Sequence, residues 1–216
     1  MNGLFIKQFF SEKGELSQSI KDYRVRQEQV DISVLIDVAI TNKKKLIVEA
    51  GTGIGKTFAY LVPAFLSGGK IIISTATKNL QDQLFTKDIP MIRDALNVPV
   101  TLAMLKGRSN YLCHLRLENA MSEGAFMTKE DVTYLHLVNQ HAKHSVDGDR
   151  SELNTIPESS SIWPQVTSTK ENCLGQDCSF YKECFVMNAR KKALAADVTI
   201  VNHHLFFADL NMKEEG

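Results

Sequence analysis

Val48-Glu49-Ala50-Gly51-Thr52-Gly53-Ile54-Gly55-Lys56-Thr57 follows a short apolar run, Leu46-Ile47-Val48, and leads into a helical pattern that reaches Leu66. The run reads as a buried strand, and Gly68 and Gly69 mark the end of the helix. Pro63 within the helix predicts a bend or an early stop. Between strand and helix, glycines let the backbone approach a ligand closely. The N–H groups of the helix start then face an anion favourably. Gly51, Thr52, Gly53, Ile54 and Gly55 are the cradle, Lys56 is placed to reach β and γ phosphates, and the Thr57 hydroxyl to ligate Mg²⁺. The first glycine of the usual G-x-x-x-x-G-K-[ST] pattern is replaced by Ala50, a departure of one methyl. A ligand-free glycine turn is the plainer alternative, and the strand-to-helix setting argues against it.

Outward from this loop, apolar residues at spacing four (Val30, Val34, Val38 and Ile32, Ile36, Ile40) predict a helix upstream. Arg26 and Gln29 lie at its start. A glutamine amide can donate to and accept from an adenine edge, although such a pair is equally at home on a solvated helix face. Downstream, Ile71-Ile72-Ile73 predicts a second strand, so strand, loop, helix and strand form one right-handed parallel unit. Thr75, Thr77 and Gln81 follow that strand, where hydroxyls, amides and helix-start N–H groups can hold a nucleic-acid backbone; Thr77 is equally a helix cap. Residues 79–85 predict a helix, 98–105 a third strand and 198–201 a fourth.

Between those last strands the character changes. Residues 107–195 contain all four cysteines, the single tryptophan and four of the six histidines. One helix is clear inside, with Thr128 and Asp131 resembling a capping box and Tyr134, Leu137, Val138 and His141 as its stripe. The organisation expected is one α/β sheet (residues 1–106 and 196–216) interrupted by a subdomain over 107–195.

The chain has 216 residues, 25 basic and 25 acidic, with 44% apolar residues. That is ordinary globular composition, against disorder or a coiled coil. No stretch reaches the roughly 18 apolar residues of a membrane span, and no secretory signal is recognisable. A cytoplasmic, reducing location is expected, where clustered cysteines bind metal or catalyse rather than form disulfides. Cys113 stands apart from Cys173, Cys178 and Cys184, without a tight C-x₂-C knuckle. The spacing leaves an iron–sulfur cluster, zinc and unrelated thiols open. Basic and aromatic residues nearby, Arg108 and Tyr111 among them, suit a single nucleic-acid strand as well as a solvated face. Asn202 before His203 and His204 is neutral where a Mg²⁺-orienting carboxylate would be needed, and the histidines read as structural.

Four segments together, 48–57, Leu105 to Cys113, Asn172 to Gly175 and Val201 to Phe206, resemble the iron–sulfur superfamily 2 DNA helicases of the DinG/XPD group, and within it the bacterial YoaA-type DinG-like branch. The resemblance implies a RecA-like P-loop domain interrupted by a mainly helical cluster insertion. It implies that Arg26 and Gln29 belong to an adenine-reading motif, and that Thr75, Thr77, Gln81, Arg108 and Tyr111 meet DNA. It also implies that Cys113, Cys173, Cys178 and Cys184 hold a [4Fe–4S] cluster. The implied activity is ATP- and Mg²⁺-dependent 5′-to-3′ unwinding of single-stranded or forked duplex DNA in replication or repair. The family's D-E-A-H box does not occur in these residues, so an N-terminal part with little hydrolysis or unwinding of its own is expected. A zinc- or cluster-bearing nucleic-acid-binding module with an inert ATP fold is the alternative.

Overall fold

The computed structural model describes residues 2–123 and 128–214. The chain forms two compact units, residues 1–103 with 196–201, and residues 104–195 with 202–216.

The first unit is built from α1 (Gly3–Phe9), α2 (Glu15–Ser19), α3 (Gln27–Thr41), α4 (Lys56–Leu66), β1 (Ile71–Thr75), α5 (Lys78–Gln83), a π-helical turn (Leu84–Asp88) and α6 (Ile89–Leu96). β2 (Leu102–Leu105) and β3 (Val198–Asn202) complete a parallel sheet in the order β1-β3-β2. The strand that enters last therefore lies in the middle, and the chain between β2 and β3 is a long excursion from the sheet. At the start of β3, Asp197 Oδ2 accepts from the Thr101 backbone N–H (2.8 Å) and hydroxyl (2.7 Å). Ile6, Phe9 and Phe10 are fully buried with Leu61, Val62, Ile92 and Ile200, so the N-terminal arm is core.

Leu46-Ile47-Val48 is not a buried strand: it is irregular, pairs with none of the three strands, and Ile47 is 97% exposed. An apolar run becomes a strand only with a ladder partner, and none of the described residues provides one. The buried face of α3 is also only partly the expected stripe: Val30 is core and Val34 packs against it, but polar residues share that face. Gln29, Ser33 and Asp37 are buried at spacing four, while Val38 and Ile40 face outward. Asp37 is held by Asn2, whose backbone N–H and side-chain amide donate to its two oxygens at 2.9 and 3.1 Å. Pro63 does not end α4 early, since the helix reaches Leu66.

The second unit contains α7 (His114–Glu123), α8 (Lys129–His144), α9 (Trp163–Val166), α10 (Phe185–Ala195) and α11 (His203–Glu214). Its core gathers Tyr111, Leu112, Leu117, Leu135, Val138, Ile162, Trp163 and Phe185. Thr128 caps α8, accepting from the Asp131 N–H at 3.1 Å and donating to Oδ2 of that residue at 2.9 Å. The buried stripe of α8 is Asp131, Leu135, Val138 and Ala142, so Leu137 is outside it. Asn202 caps α11, its Oδ1 accepting from the His204 N–H at 2.8 Å, and His203 and His204 are exposed. Among the described residues no helix is long and apolar enough to cross a membrane.

Candidate nucleotide site and cysteine cluster

Gly55 takes a left-handed conformation (φ 82°) immediately before α4, and Gly53 does the same (φ 84°). No side chain caps α4, so the N–H groups of its first turn are open to an anion. Lys56 folds back over the loop, its ammonium donating to the Ala50 and Gly51 carbonyls at 2.7 Å each. Those carbonyls hold the cation above the loop that would receive a phosphate.

Gln29 meets the same loop from α3. Its Nε2 donates to the Gly55 carbonyl at 2.9 Å, while its Oε1 is buried without a partner. A Cβ on residue 55 would lie 2.2 Å from Gln29 Nε2, so glycine is required by contact as well as by backbone angle. Gln29, Arg26, Tyr23, Gly55, Thr57 and Phe58 line a cavity of about 420 Å³, together with Gln83 and Asp88. The Thr57 side chain is hydrogen-bonded to Tyr60. Burial pushes the Tyr60 phenol up to about 12; the Thr57 contact works against the rise and the Asp88 charge adds to it. Thr57 is thus oriented by a hydroxyl that keeps its proton. Sequence reasoning missed Gln83, Asp88 and Tyr60, which carry no spacing signal of their own.

The residues after β1 are placed less openly than expected. Thr75 and Gln81 are 5% and 1% exposed, and the Thr75 hydroxyl donates to the Thr77 carbonyl at 3.2 Å. Thr77 is exposed and caps α5, accepting from the Leu80 N–H at 3.2 Å.

In the second unit the segment from Lys106 to Cys113 works mainly on its own surroundings. Lys106, 7% exposed, donates from Nζ to Asp149 at 2.6 Å. Burial pushes the Asp149 carboxyl up, but the bonds from Lys106 and Ser151 outweigh it and leave the group below its ordinary range. Tyr111 is 3% exposed, and its hydroxyl accepts from the Lys106 backbone N–H at 3.0 Å. The ring is therefore core, with no open face for a stacked base. Arg108 Nη1 donates to Cys173 Sγ at 2.9 Å, and the Gly175 N–H approaches the same sulfur at 3.4 Å.

All four cysteines are free and half-buried. Cys113 precedes α7, Cys173 and Cys178 flank a short 3₁₀ turn (Gly175–Asp177), and Cys184 precedes α10. Burial raises the Cys113 thiol; backbone bonds from Arg116 and Leu115 oppose the rise, and the charges of Cys184 and Cys178 add to it. Cys113 is thus within electrostatic reach of Cys178 and Cys184, which are distant from it in sequence. Among the described residues, no three His, Cys, Asp or Glu side chains close to metal-holding geometry.

Residues 32–151 match the family model of the DEAD/DEAH box helicases. The chain is 52% identical to the ATP-dependent DNA helicase YoaA of Haemophilus influenzae, over 98% of this chain and 33% of that protein. It is 47% identical to the YoaA helicase of Escherichia coli, over 96% of this chain and 32% of that protein. Against the ATP-dependent helicase DinG of Mycobacterium tuberculosis the identity is 34%, over 85% and 31% respectively. The chain spans about a third of the length of these curated relatives. A glycine loop gripped by a buried glutamine, in a unit with a parallel sheet, accompanies these likenesses: the chain belongs to the DEAD/DEAH box helicases and groups with proteins of the YoaA and DinG type.

Proposed function

We propose that this chain is the nucleotide-binding front of an ATP-dependent DNA helicase, with residues 107–195 as an iron–sulfur insertion in its first RecA-like domain. The observation that carries the reading is Gln29, which holds the Gly55 carbonyl while its Oε1 stays buried and unpartnered beside a 420 Å³ cavity. An adenine amino group donating to that oxygen would satisfy it, which gives the site a reason to prefer adenine. Lys56 leaves the Ala50 and Gly51 carbonyls for the phosphates, the α4 N–H groups bind their oxygens, and Thr57 is held by Tyr60 where it would ligate Mg²⁺.

For the insertion, the reading is supported by the chemistry of the donors and not by a formed metal geometry, which no three of these side chains reach among the described residues. Four free thiols lie in one unit, Cys113 feels the charges of Cys178 and Cys184, and Cys173 receives two N–H donors. Donors to a ligating sulfur stabilise its thiolate form. When bound, such a cluster supplies rigidity or one-electron chemistry beside the strand path. For DNA, Thr77 presents its surface while Thr75 and Gln81 brace the turn from beneath. Single-stranded or forked DNA, 5′-to-3′ movement and a cytoplasmic setting follow from the helicase resemblance. So does hydrolysis, which needs a carboxylate pair that these residues do not contain.

The nucleotide reading is tested by calorimetric titration with Mg²⁺-ATP. Lys56→Ala is expected to weaken binding about 100-fold, the upper range for hydrogen bonds to a charged group. Unchanged affinity would mean that the loop is not the phosphate site, and strand binding indifferent to both ATP and Lys56 would indicate an inert ATP fold.

A further inference from the structure

Gln83 and Asp88 line the nucleotide cavity without belonging to the phosphate loop or to the Arg26–Gln29 segment. They are five residues apart. In an α-helix that spacing places two side chains about 140° apart around the axis. Here the intervening residues Leu84–Asp88 form a π-helical turn, which closes i to i+5 and brings both to one face. Gln83 Nε2 donates to Asp88 Oδ2 at 2.9 Å. Asp88 is only 6% exposed, so its carboxylate is a deliberate feature of the wall.

A carboxylate beside a polyphosphate is unfavourable unless it faces a hydrogen-bond donor. Gly55 and Thr57 of the loop, and Arg26 and Gln29 at the start of α3, line the same cavity as Asp88. Of the parts of a nucleotide, the ribose offers neutral hydroxyl donors to such a carboxylate. A carboxylate accepting from a ribose hydroxyl is an established solution in other nucleotide folds. We propose that Asp88, oriented by Gln83, accepts a hydrogen bond from the ribose 2′-hydroxyl and makes the site selective for ribonucleotides. The proposal rests on the nucleotide reading given above.

The test compares ATP with 2′-deoxy-ATP by calorimetric titration of the full chain. The unaltered protein is expected to favour ATP about tenfold, since a site built around a hydroxyl leaves its own polar group unpaired when the hydroxyl is missing. Asp88→Asn is expected to keep ATP binding but reduce the preference to about twofold. Gln83→Leu, at an exposed position, is expected to give an intermediate ratio and carries the test should Asp88→Asn not fold. Equal affinities in the unaltered protein overturn the proposal. So does a loss in Asp88→Asn that is equal for both nucleotides, which would place Asp88 against the base or the metal. Binding of neither nucleotide by the unaltered protein is a different failure, and takes the nucleotide reading with it.

Discussion

Gly55→Ala is expected to lower stability by about 2–3 kcal/mol, combining about 1–2 for a left-handed alanine with about 1 for a displaced hydrogen bond. The added methyl would stand 2.2 Å from Gln29 Nε2, so Gln29 must leave the Gly55 carbonyl. Nucleotide binding is expected to fall more than tenfold with it. Gly53→Ala is the internal comparison. Its φ is 84°, but nothing lies within 4 Å of the added carbon. It should therefore lose only the backbone share, about 1–2 kcal/mol. Urea denaturation of the two variants separates strain from contact. Equal losses in stability and binding would show that the Gln29 contact does not shape the loop.

Lys106→Met is expected to cost the second unit about 3–5 kcal/mol, the usual penalty for removing one partner of a buried ion pair. Methionine keeps most of the side-chain volume, so the loss reports the charge left behind on Asp149, whose side chain is 14% exposed. Adding Asp149→Leu should recover much of it, because a buried pair replaced by apolar groups is often neutral. The pair also fixes a pH dependence. The folded Asp149 carboxyl lies below its ordinary value, so its stabilisation is complete above that value and is lost as pH falls through the folded one. The gap between native protein and Lys106→Met should therefore be widest at neutral pH and close below about pH 4. A loss under about 1 kcal/mol at pH 7 would place the pair among screened surface contacts.

Much of the first unit was legible in the sequence because local rules and tertiary packing agree there. Alternating glycines before Lys56, the apolar core of α4 and the isoleucines of β1 each specify one structure. The reading failed where burial is polar. Gln29, Ser33 and Asp37 are buried on α3 beside Val30, Gln29 and Asp37 held by Gly55 and Asn2 through bonds across 26 and 35 residues, and apolar periodicity cannot register them. It failed again at Leu46-Ile47-Val48, where composition indicates a strand but no ladder partner exists among the described residues. Asp88 was invisible for a third reason. It stands at spacing four between the buried Leu84 and Ile92, but a charged side chain at such a position adds nothing to an apolar pattern. Lys106 and Tyr111 stand in a segment whose basic and aromatic character suggests nucleic acid, yet both are consumed by internal bonds.

The reading proposed above puts a triphosphate clasp and a four-thiolate iron centre in one chain. Its most direct measurement is the iron and acid-labile sulfide content of protein purified without oxygen. The account predicts a brown protein with about four irons per chain, held by Cys113, Cys173, Cys178 and Cys184. A colourless protein free of iron, or one carrying a single zinc, would contradict it.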